Sequence, residues 1–141
     1  MESMPLDGHM GLAVVVEDDD AVRLMMCELL QSAGFKVVGC SGGVEAIKVA
    51  RELHPAVLTL DLHMPGMDGM EVLSRLASDP STSRIPVVVV SAYSSDRRVR
   101  ASRQVKAIVS KPFDVDDLCE KVRLAANGRE APMPRRAVCW S

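Results

Sequence analysis

Four short clusters in the chain carry residue types suited to phosphorus chemistry. Glu17, Asp18, Asp19 and Asp20 follow the apolar run "LAVVV". Asp61 ends "AVLTL" and leads directly into "LHMPGMDG". Ser91 follows "VVVV", and Ser110, Lys111 and Pro112 follow "AIV". Carboxylates held close together repel and raise each other's pKa unless a cation joins them. All-oxygen ligation completed by water is the preference of Mg²⁺, or of Mn²⁺ in its place. A cation bound there leaves one nearby carboxylate as a nucleophile towards phosphorus. Lys111 would neutralise a phosphoryl oxygen from another side, and the Ser91 hydroxyl would donate to one. Phosphoryl transfer needs mostly such positioning and charge neutralisation.

Each residue taken singly has a blander role. Asp19 or Asp20 caps a helix, and acids at helix starts complement the dipole. Lys111 is a solvated lysine, Ser91 a helix N-cap and His63 a loop residue. Met64, Met67 and Met70 are packing. The joint placement outweighs these readings, because each cluster follows its own apolar run.

Those runs must position the clusters. Leu12–Val16, Lys36–Val38, Ala56–Leu60, Val87–Val90 and Ala107–Val109 read as short strands. Four lack polar alternation, so they are expected to be buried on both faces of a parallel sheet. Helical spacing alternates with them. Val22, Met25, Met26, Leu29, Leu30 and Ala33 form one stripe, ending at Gly34. Val44, Ile47, Ala50 and Leu53 form a second, and Met70, Leu73 and Leu76 a third. Val115, Leu118, Val122 and Ala125 form the last, with Asp114 as cap and Gly128 as stop. Between Ser91 and Ala107 the pattern is polar and predicts only a short helix with Val99, and Ala101 beside it, facing inward. Five β-α units with right-handed crossovers predict an α/β fold with a doubly wound five-stranded sheet. Ligands bind such sheets at the carboxyl ends of the strands.

At 141 residues the chain suits one domain with one core. Its formal net charge of −2 is a poor match for nucleic acid or anionic membrane, so neither is expected as a direct partner. Cys27, Cys40, Cys119 and Cys139 form no C-x-x-C pair and read as free thiols in a reducing compartment. No run approaches a membrane span and the start is no signal peptide, so a cytoplasmic location is expected. Residues 1–10 read as a disordered leader, 11–127 as the folded domain, and 128–141 as a tail or truncated linker.

The set "VVVEDD", "LDLHMPGMDG", "PVVVVSA" and "VSKPF" resembles the receiver domains of two-component response regulators over about Leu12 to Asn127. The resemblance implies a flavodoxin-like (βα)₅ fold with strand order 2-1-3-4-5. It implies a stand-alone switch in which Asp61 accepts a phosphoryl group from a phosphohistidine with Mg²⁺. Asp18 and Asp61 would be direct ligands, Glu17 would act through water, and the His63 backbone carbonyl would complete the site. Ser91 would move onto the phosphoryl group and Lys111 would bind it. The bond before Pro112 would be cis. Partners implied are a histidine kinase or phosphotransfer protein and an effector protein; no turnover of an external substrate is implied.

Two departures bear on output. Ile108 stands where many receivers carry Tyr or Phe, and the segment from Ser91 to Lys111 lacks the usual "GA". A receiver fold working unphosphorylated as an adaptor is therefore the alternative. An aspartyl-phosphate phosphatase would need D-x-D after the first strand, and a flavodoxin-like nucleotide binder a phosphate cradle where "EDDD" stands. Arg97, Arg98, Arg100, Arg103 and Lys106 face a second charged stretch, Asp114, Asp116, Asp117 and Glu120, in sequence. A weak homodimer through the fourth and fifth helices is one expected use of that pairing.

Overall fold

The computed structural model describes residues 10–92 and 97–128. Five strands, β1 (Leu12–Val16), β2 (Lys36–Cys40), β3 (Val57–Leu60), β4 (Val87–Ser91) and β5 (Val105–Ser110), alternate with five helices. These are α1 (Asp20–Ser32), α2 (Gly43–Leu53), α3 (Gly69–Ser78), α4 (Arg97–Ala101) and α5 (Val115–Ala126). The strands form one parallel sheet in the order β2-β1-β3-β4-β5. The expected doubly wound fold and strand order are both present.

Burial follows from that order. β3 and β4 are buried at every residue, whereas the edge strand β2 is buried only at Cys40. Alternate strand residues feed two cores. Val14, Leu58, Leu60, Val87, Val89 and Ile108 pack with α2, α3 and α4 on one face. Val15, Val57, Val88, Val90, Ala107 and Val109 pack with α1 and α5 on the other. β5 begins at Val105, two residues before the expected start, and its pairing with β4 shifts by one residue between Val87 and Val88.

Five helix positions depart from the expected stripes. Val44 and Leu53 are exposed on α2, whose buried residues are Gly43, Ala46, Ile47 and Ala50. Small residues let this helix approach α3 closely. A Cβ on Gly43 would lie 2.6 Å from Val72 Cγ2, so the contact face turns there and leaves Val44 in solvent. Met25 is exposed because Met26 and Leu30 supply the buried line of α1. Val115 lies exposed in the first turn of α5, ahead of buried Leu118. Ala101 is also exposed, and Val99 is the buried residue of the five-residue α4.

The caps are as expected from residue type. Asp19, Asp68 and Asp114 accept the amides of Val22, Glu71 and Asp117. Gly34 follows the C-cap of α1 with φ +107°, in the region that favours glycine. Met10 donates to the Gly34 carbonyl at 2.7 Å, which ties the chain ahead of β1 to the sheet. Cys27, Cys40 and Cys119 are free; Cys139 lies outside the described residues.

Candidate functional site

The site is built from residues at, or one step beyond, the last rungs of the strands. Val16 pairs with Leu60, so Glu17 and Asp61 emerge side by side. Asp61 N donates to Val16 O at 3.1 Å, and Glu17 N donates to Cys40 O at 3.0 Å. Ser91 pairs with Ser110 on the other side of β3, and Lys111 N donates to Ser91 O at 3.0 Å. The clusters separated in sequence therefore share one edge of the sheet.

Side chains close the arrangement. Carboxylate oxygens of Glu17, Asp18 and Asp61 lie within 4.8 Å of one another. Lys111 Nζ donates to Glu17 Oε1 at 2.8 Å and stands 3.6 Å from Asp61 Oδ2. Asp19 N donates to Glu17 Oε2 at 3.2 Å, and His63 N donates to Asp61 Oδ1 at 3.1 Å. Glu17 is 2% exposed and Asp61 6%, whereas Asp18 is only partly buried. Ser91 is fully buried at the end of β4. His63 is exposed, two residues beyond Asp61. The Lys111–Pro112 bond is cis.

Burial is the largest influence on Glu17 and raises its carboxyl pKa; the Lys111 ammonium and the Asp19 amide oppose this without overcoming it. Burial also acts on Lys111, lowering its pKa, but hydrogen bonding and attraction to Glu17 and Asp61 outweigh it. The net effect keeps the ammonium protonated. Three carboxyl groups and one ammonium therefore share the site. The donor set is all oxygen, which fits Mg²⁺.

Three supporting residues escaped the sequence reading. Gly69, at the start of α3, allows the backbone to approach the Asp61 strand end. A Cβ there would lie 2.5 Å from Asp61 O and from Leu62 Cα. Gly69 N also donates to Leu62 O at 3.1 Å. The second glycine of "PGMDG" was its only signal in sequence. Arg23 Nη1 donates to Glu17 O at 2.9 Å, and Gly39 leaves room for its stem. Neither follows a pattern legible without the fold.

The family profile described as "Response regulator receiver domain" matches residues 13–123. The chain belongs to that family. Receivers of this kind are signalling proteins of two-component and phosphorelay systems. The chain is 29% identical over 113 residues to the "Polar-differentiation response regulator DivK" of Brucella ovis, covering 78% of this chain and 91% of that protein. It is 27% identical over 112 residues to "Sporulation initiation phosphotransferase F" of Bacillus subtilis, covering 78% and 89%. The solved chemotaxis protein CheY4 of Vibrio cholerae shares the fold with a TM-score of 0.76 at 24% identity, over 82% of this chain and 98% of that one. Among the described residues of this receiver, no helix is long and apolar enough to cross a membrane.

Proposed function

We propose that this receiver is a phosphoacceptor switch, with Asp61 taking the phosphoryl group from a phosphohistidine of a kinase or phosphotransfer protein. The observation that carries the reading is the nearly buried Asp61 carboxylate, set between two further carboxylates and the Lys111 ammonium. An Asp61 oxygen attacks phosphorus and the phosphorus–nitrogen bond of the donor breaks. The electron pair leaves on the imidazole nitrogen, which takes up a proton. Asp18, Asp61 and the His63 carbonyl would hold Mg²⁺ directly and Glu17 through water, and the ion would neutralise phosphoryl charge there. Lys111 neutralises a second phosphoryl oxygen, and the Ser91 hydroxyl donates to a third. The His63 amide already holds one Asp61 oxygen, which fixes the carboxylate's orientation. The named phosphotransferase among the relatives supports a relay partner of this chemistry.

Residues 11–127 are the switching unit in this reading. Its output would run through the basic α4 region to an effector or to a second copy. Turnover is limited to the chain's own phosphorylation and its reversal. Acetyl phosphate with Mg²⁺, followed by intact mass, tests the site. One added phosphoryl group is expected, lost in Asp61→Asn and in excess EDTA. Undiminished labelling in either condition refutes the assignment.

A further inference from the structure

We propose that Arg23 is a positioning residue that holds the acidic end of β1 in register for a divalent cation. This rests on the reading of Glu17, Asp18 and Asp61 as that cation's site. Glu17 stands one residue past the last rung of β1, where the β3 ladder has ended at Val16 and Leu60. Its amide is held by Cys40 O, and its two carboxylate oxygens by Lys111 and the Asp19 amide. Its carbonyl accepts from Arg23 Nη1 at 2.9 Å. Arg23 supplies the donor that the sheet does not. Without it the peptide between Glu17 and Asp18 could rotate, and that peptide carries both acids.

The guanidinium is itself oriented. Its other arm, Nη2, donates to Asp20 Oδ1 at 2.5 Å, and the Arg23 amide is bonded to Asp19 O in the first turn of α1. The stem lies across β2 at Gly39. A Cβ at that position would be 3.3 Å from Arg23 Cγ and Cδ and 3.2 Å from Cys27 Sγ. Gly39 is therefore the seat over which Arg23 reaches the strand end. A two-armed, planar donor suits this task and a lysine does not, because an ammonium is a point charge without the fork.

Titrate Mg²⁺ into the full ¹⁵N-labelled chain and follow the Asp18 and Asp61 amide shifts. Arg23→Ala is expected to raise the Mg²⁺ Kd about tenfold, the low end of what residues orienting metal ligands cost. Arg23→Lys is expected to fall between wild type and alanine. In labelling by acetyl phosphate, the half-saturating Mg²⁺ rises while the rate at saturating Mg²⁺ is kept, a split that general destabilisation does not produce. Should Arg23→Ala fail to fold, Arg23→Gln carries the same test, since it keeps most of the stem. An unchanged Kd in the folded variant overturns the role of Arg23. Wild-type affinity in Arg23→Lys beside a loss in Arg23→Ala assigns the effect to charge alone and also overturns it. A wild-type chain that binds no Mg²⁺ is a different result: it overturns the reading of the site, and this role with it.

Discussion

The chain carries two acidic stretches of similar appearance, "EDDD" from Glu17 to Asp20 and "DVDD" from Asp114 to Asp117. Each contains a helix cap, and each caps in the same way, with Asp19 on α1 and Asp114 on α5. Beyond the caps they diverge. Glu17 and Asp18 sit at the end of a central strand and converge with Asp61 and Lys111. Asp116 and Asp117 sit in the first turn of a helix on the flank, where Asp117 pairs with Lys121 at 3.1 Å and Asp116 faces solvent. Carboxylates at a strand end can meet residues from other strands, whereas carboxylates in a helix's first turn meet mainly their own turn and water. Chemistry therefore collects at the first stretch, while the second complements a dipole.

The sharpest way to break this contrast is to neutralise one acid in each stretch. Asp18→Asn should slow labelling by acetyl phosphate about a hundredfold, the scale of deleting one preorganised charge-stabilising group. Asp116→Asn should leave the rate unchanged by the same mass measurement. Equal effects at the two positions would erase the distinction.

Lys111→Ala tests what the first stretch owes to its counter-charge. Removing the ammonium leaves the nearly buried Glu17 carboxylate unpaired, and because Lys111 is about a quarter exposed the cost is put at about 1–2 kcal/mol. Urea unfolding should show that loss without Mg²⁺ and a smaller one with it, since an ion bound only by the folded state restores stability. Some phosphorylation should persist, with a weakened phosphorylation-dependent shift in amide spectra. A normal shift would count against Lys111 as a phosphoryl ligand.

The caps mark where the two stretches should be equivalent. Asp19→Ala and Asp114→Ala are each expected to cost about 1 kcal/mol in the same urea experiment. A much larger loss at Asp19 than at Asp114 would mean that the two caps are not equivalent.

The smallest expected effect lies at Asp79, a third acid, at the C-terminal end of α3. It accepts from the Ser81 amide and hydroxyl and from Arg51, and these bonds hold its pKa below the ordinary carboxylate range. A depressed folded pKa stabilises above the unfolded value and is lost as pH falls through the folded one. Asp79→Asn should therefore be slightly less stable than wild type near neutral pH. The two should converge in acid, as followed by thermal melting across pH. A difference that grows in acid would reverse the assignment.

The order of apolar runs and turn residues was enough to determine five β-α units, the cap at Asp114 and the buried central strands, and it narrowed the first cap to Asp19 or Asp20, of which the structure uses Asp19. Those properties are local or follow from burial on both faces. The same order singled out Glu17, Asp18, Asp61, Ser91 and Lys111 as a set, because each cluster stands at the end of its own apolar run. Only the tertiary structure decided which acids meet. Register brings Glu17 to Asp61 across β1 and β3, and no spacing within either segment encodes that pairing. It also decided the faces of Val44, Met25 and Val115, since apolar periodicity leaves helix rotation to the neighbours that pack against it. Gly39, Gly69 and Arg23 belong to the same class. Their roles depend on a backbone or side chain arriving from elsewhere in the chain, and in the sequence alone they are two ordinary glycines and a surface arginine.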